Sequence, residues 1–175
     1  MELLIPLFIY SFVHNYTDTA LVDIIYYLTA VIFLPFIGYY ADKRGAKKLL
    51  IIALFLYVVI GGFYFTAGLT SLVIFIMLAR FTNGITRSMY KIGEKTYMRK
   101  YASEGHLSSS MGMLNSVGDL VRISGVALGG VILYLTHIPL YYLFLFIIPT
   151  ALISLIPVGA LPASSVSEQD TTKSR

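Results

Sequence analysis

Long apolar runs separated by short polar connections dominate the chain. Residues 3–17, 24–41, 49–79 and 123–167 contain no Asp, Glu, Lys or Arg. The run 49–79 exceeds one span of about 20 residues, and Thr66-Ala67-Gly68-Leu69-Thr70-Ser71 breaks it into a helical hairpin. The run 123–167 breaks in the same way at Thr136-His137-Ile138-Pro139. Short segments of alternating hydrophobicity, the mark of a membrane barrel, are absent. In hydrocarbon the backbone must satisfy its own hydrogen bonds, so helices are the default spanning element. The pattern predicts helices near 3–15, 20–41, 48–66, 70–90, 108–135 and 139–158.

An all-α polytopic membrane protein is therefore expected, with five to six transmembrane helices over residues 1–161. The first segment is the weak one. Residues 3–17 reach only about 22 Å at the helical rise, short of a hydrocarbon core of roughly 30 Å. It has no basic n-region and no small-x-small cleavage site, so it does not read as a signal peptide. It reads as the remaining end of a longer helix or as a short tilted span. The tail, 162–175, is small, polar and aperiodic, which predicts disorder.

Composition removes the soluble alternative. The chain is 57% hydrophobic and 13% charged, with mean hydropathy +0.78. Soluble domains carry roughly 25% charged residues, and 175 residues cannot hide this much apolar surface in one core. Charge placement then adds orientation. Lys43, Arg44, Lys47 and Lys48 fall in one connection, Arg87, Lys91, Lys95, Arg99 and Lys100 in another, and Lys173 and Arg175 in the tail. The opposite connections have no Lys or Arg. The positive-inside rule places both basic loops and the C-terminus in the cytoplasm, in a plasma-membrane protein. The net charge of +4 follows from this asymmetry. It is read as that asymmetry and not as a nucleic-acid footprint.

The most specific motif is Gly38-Tyr-Tyr-Ala41-Asp42-Lys43-Arg44-Gly45-Ala46-Lys47-Lys48, in the first basic loop. Gly38 permits close approach of a neighbouring helix, and Gly45 permits a tight turn. The loop resembles the signature G-x-x-x-D-[RK]-x-G-[RK]-[RK] of the major facilitator superfamily of secondary transporters. It matches at Gly38, Asp42, Lys43, Gly45 and Lys47 and departs at Ala46, where the family usually has a base. Arg80-Phe-Thr-Asn83-Gly84 is similar to the family's R-x-x-[QN]-G pattern in the fourth helix. Gly125-Val-Ala-Leu-Gly129-Gly130 is similar to its G-P-x-x-G-G pattern in the fifth, with Val126 where Pro is usual, and Gly84, Gly125, Gly129 and Gly130 are expected at helix-packing contacts.

The resemblance implies half of a 6+6 bundle, in which two six-helix units rock about a solute site near the bilayer midplane. It implies a gating role for Asp42, with Arg87 as its basic partner. Both repeats of the family can carry the loop; the abrupt start and the polar tail favour the C-terminal repeat, in a truncated or partial chain. A transport-incompetent fragment, or an assembly partner needing a second six-helix bundle of the same or another chain, is the alternative.

Charges within spans are functional candidates by default. Arg80 falls in the fourth helix, and Asp119 and Arg122 fall in the fifth, three apart and so able to pair on one face. Asp119 could also meet Arg80 across adjacent helices. Two readings stay open: a polar wall of a translocation path with Asn83 and Asn115, or an ion-pair lock between the helices. Asp119 would carry a coupling proton if burial raised its pKa. Asp18 and Asp23 are expected at the wet interface. His14, His106 and His137 share no ligand spacing, so neither a metal nor a cofactor is expected. Ser108-Ser109-Ser110 beside His106 reads as a helix start, and no enzyme motif stands out. The expected partners are a small solute, a coupling proton and the lipid bilayer.

Overall fold

The computed structural model describes residues 4–101 and 107–161; His106 and the tail with Lys173 and Arg175 lie outside them. Among the described residues every regular element is helical. In order these are α1 (Leu4–Val13), α2 (Tyr16–Arg44), α3 (Ala46–Thr70), α4 (Val73–Tyr101), α5 (Leu107–Thr136), α6 (Tyr141–Leu145) and α7 (Ile147–Ala160). A turn at Phe146 separates α6 from α7, and together they form the sixth helix. Helices α2, α3, α5 and the α6–α7 unit are each long and apolar enough to cross a membrane. Helix α4 is as long as α2 but carries Arg80, Arg87 and Lys91 along its length. It continues to Tyr101 rather than ending near 90.

The connections show why the helices end where they do. Asn15 is extended (φ −141°, ψ 130°), and its side-chain oxygen accepts from the Thr17 N–H at 2.9 Å. This cap satisfies one of the orphan donors at the start of α2, and such caps contribute about 1 kcal/mol. Asp18 in the first turn complements the helix dipole. At the other end of α2 the backbone reverses through Gly45 alone, at φ 86° and ψ 151°. Side-chain-bearing residues rarely adopt that conformation. His14, Ser71 and His137 close α1, α3 and α5 in the left-handed region, at φ 51°, 57° and 52°. Each donates its N–H to the carbonyl four residues back.

Helix α4 is the hub, packed between α2 and α3, while α3 also packs along α6 and α7. The larger core cluster joins Ile5, Phe8 and Ile9 of α1 to Tyr64, Ile76, Ala79 and Phe144. Inside it Phe8 meets Phe144 edge-on at 4.8 Å, and Tyr64 stacks on Phe144 at 4.6 Å. A second cluster, around Ile37, Ala41 and Leu49, closes the end that bears the basic loops. Helix α5 stands apart: its apolar window has no buried residue.

The glycines take roles that the sequence shows only in part. The break falls within the expected stretch, at Ser71 just after α3 ends at Thr70, while Gly68 itself lies inside the helix. Gly68 makes room for Tyr141, whose Cβ and Cγ would each lie 2.2 Å from an added Cβ. Gly38 has open space where a Cβ would stand, so no helix approaches it. Gly125 and Gly130 are equally open and Gly129 is only in ordinary contact, because α5 lies off the bundle.

Candidate functional site

Two polar regions flank α4. On the α2 side, Asp23 and Tyr26 are one turn apart on α2, and Arg80 and Arg87 are two turns apart on α4. The Arg80 guanidinium forms an ion pair and hydrogen bond with Asp23, and it lies 4.8 Å from the Tyr26 ring centroid. Arg87 donates to the Tyr26 hydroxyl and sits 5.7 Å from the same ring. The Arg80 side chain is 7% exposed and that of Asp23 25%, so this pair is largely dry. A cation over an aromatic face gains further attraction when desolvated.

This arrangement corrects two expectations. The carboxylate on Arg80 is Asp23, not Asp119, because α2 packs along α4 whereas α5 barely touches it. Asp23 itself is therefore a cross-helix partner rather than an interfacial residue. The available signal was the Asp23–Tyr26 spacing, which aims an acid and an aromatic from one helix face. The backbones come this close because of Gly84, where a Cβ would stand 2.5 Å from the Tyr26 carbonyl oxygen.

On the other side, Asp119 and Arg122 pair within α5 at 3.0 Å and stay 63% and 51% exposed. They face a cavity of about 630 Å³. One wall is Tyr57 of α3 with Arg87, Tyr90, Lys91 and Glu94 of α4, and the other includes Asn115, Asp119 and Arg122 of α5. A deeper chamber of about 270 Å³ adjoins it, lined by Ile5, Tyr57, Ile60, Tyr64, Asn83, Arg122 and Ile147. Tyr57 and Arg122 belong to both. The Tyr64 and Asn83 side chains are both buried there. Glu94 lies beyond the expected end of the fourth span. Partial burial pushes its carboxyl above the usual range, against the pull of Lys91 and Lys95.

The loop motif disperses into separate roles. Asp42 is exposed and has no ion pair with Arg87, which turns toward Tyr26 instead. Lys43 reaches the Tyr39 hydroxyl at 3.2 Å, one turn back on α2. Lys47 donates to the carbonyls of Gly159 at 2.7 Å and Leu161 at 2.5 Å. A cation on the last carbonyls of a helix satisfies orphan acceptors and complements the dipole. Lys47 therefore ties the first basic loop to the end of α7, a contact that the loop's own spacing does not reveal. Among the described residues no group of three or more His, Asp or Glu could hold a metal ion.

Helical hairpins and long apolar spans define a polytopic integral membrane protein. The Major Facilitator Superfamily model matches residues 2–174, and the chain belongs to that superfamily. No curated protein and no solved structure matches it.

Proposed function

We propose that this major facilitator-type transporter moves a small solute by alternating access, with the α4–α5 cleft as the polar part of its path. The carrying observation is that Asn115, Asp119 and Arg122 of α5 and Arg87 of α4 surround one cavity. Intramembrane charges cost several kcal/mol unless they face partners or water, so a helix bearing them against lipid would be poorly placed. Asn83 extends the path inward.

The exposed α5 supports a second element of the reading. In the membrane α5 packs against another six-helix bundle, so the chain acts as one repeat of a 6+6 transporter, the C-terminal one. Gly125 and Gly130, open in the single bundle, supply the close-approach surface for that contact together with Gly129. The gate at the basic end uses Asp42, Lys43, Gly45 and Lys47, and this end faces the cytoplasm of a plasma-membrane protein.

Reconstituted vesicles test both elements. Solute flux that falls at least tenfold in Asp119→Asn or Arg122→Gln is expected for the transporter. Monomeric protein with no flux of any solute would sink the stand-alone reading and leave an assembly partner. A cysteine at Leu120, exposed on α5 in a chain without native Cys, should crosslink in membranes if the second bundle is another copy.

A further inference from the structure

A packing contact fixes where the basic end meets the membrane boundary. On α3 the charge-free run begins at Leu49, directly after Lys47 and Lys48. A Cβ on Gly93 would lie 3.0 Å from Cγ of Leu50 and 3.4 Å from the Ala46 carbonyl oxygen, so Gly93 of α4 stands level with Lys48. The boundary on α4 thus falls between Lys91 and Lys95. At the helical rise these two lie about 3 Å on either side of it, and Arg99 about 9 Å beyond it. The headgroup layer is roughly 5–7 Å thick, and long basic side chains extend their charge into it.

Lys91, Lys95 and Arg99 recur every four residues and all three are exposed, so they share one face of α4. The same turns are anchored to the bundle: Ile92 packs on the cluster of Ile37, Ala41 and Leu49, and Gly93 is buried against α3. Like charges four apart repel one another, so the stripe favours an external anion. Residues 91–106 hold four cations against Glu94 and Glu104, and the loop 41–48 holds four against Asp42. The tail 162–175 carries two of each sign, so the surplus belongs to this end whichever local pairs form.

The end of α2 shows the partner's chemistry in order of depth. Phe36 and Tyr39 are exposed, and Lys43 donates to the Tyr39 hydroxyl at 3.2 Å and lies 5.5 Å from its ring centroid. An apolar, then aromatic, then cationic residue matches acyl chain, interface and phosphate. We propose that this end of the bundle docks anionic phospholipid, its phosphodiester groups lying along the Lys91–Lys95–Arg99 stripe with Lys43 and Lys48 at the neighbouring helix ends. The surface acts whether or not a solute moves.

Spin-labelled phosphatidylglycerol is the probe, with spin-labelled phosphatidylcholine as the zwitterionic comparison. The full chain is reconstituted in phosphatidylcholine vesicles, and the motionally restricted fraction of each label gives its relative association with the protein. Phosphatidylglycerol is expected to associate at least about fivefold more strongly. The triple variant Lys91→Gln, Lys95→Gln, Arg99→Gln should fall to about twofold or less. Lys91→Arg with Lys95→Arg should keep the full preference, because the stripe acts by charge. Raising the ionic strength should weaken the preference progressively. Equal association of the two lipids would overturn the proposal, as would a triple variant that keeps its preference or a Lys-to-Arg variant that loses it. Inorganic phosphate that abolishes the preference where sodium chloride of the same ionic strength does not would mark a site for free phosphate and overturn the lipid assignment.

Discussion

The two faces of α4 carry the same chemistry in opposite settings. Toward α2, Arg80 and Asp23 meet across two helices in a nearly dry interface. Toward α5, Arg122 and Asp119 meet within one helix and stay half exposed. The first pair connects elements far apart in sequence and cannot open without separating them. The second pair constrains nothing beyond its own helix turn. An intramembrane Arg–Asp pair therefore has no fixed meaning: burial and the number of helices spanned decide whether it clamps or stays available.

The largest expected effect tests that contrast directly. Asp23→Asn removes one partner of a largely buried pair and should cost about 3–5 kcal/mol, read as thermal or denaturant unfolding in detergent. Asp119→Asn should cost less than about 1 kcal/mol, as for exposed pairs. Equal losses in the two variants would erase the distinction between the faces.

Glycine substitutions sharpen the same comparison on the backbone. Gly84→Ala drives a Cβ into the Tyr26 carbonyl and should cost about 1–3 kcal/mol. Gly125→Ala meets nothing within 4 Å and should be neutral or stabilising by up to about 1 kcal/mol, since Ala favours a helix. Should Gly125→Ala destabilise the chain in membranes but not in detergent, α5 has a partner there.

Smaller effects follow at the surface and the loop. Lys47→Met removes donors from the end of α7 and should cost about 1 kcal/mol. Hydrogen exchange should then accelerate at the last turn of α7 and leave α5 unchanged. Labelling of single cysteines is the gentlest probe. A polar maleimide should modify Asn115→Cys, on the open wall, faster than Ser88→Cys, buried between α2 and α4. The reverse order would place water on the α2 side.

Much of this was legible before any coordinates. Charge-free runs mark the hairpins because a span must be apolar over about 20 residues. The spacing of Asp119 and Arg122 implies their pairing because neighbours three apart share a helix face. Gly45 stands where the one-residue reversal between α2 and α3 requires a positive φ. Other features were not legible. Asp23 looked interfacial when its helix was taken alone, and nothing along the run 49–79 showed that Gly68 makes room for Tyr141.

The sequence by itself determined what depends on near neighbours along the chain: the helices, the turn at Gly45, the pairing on α5 and the membership in a transporter superfamily. Tertiary structure alone decided that Arg80 answers to Asp23, that Lys47 reaches across 112 positions to Gly159, and that Tyr64 and Asn83 line one chamber. The physical reason is range. Helical periodicity is set within a few residues, whereas a cross-helix partner depends on which faces close-pack, and a single glycine such as Gly84 sets how near they come.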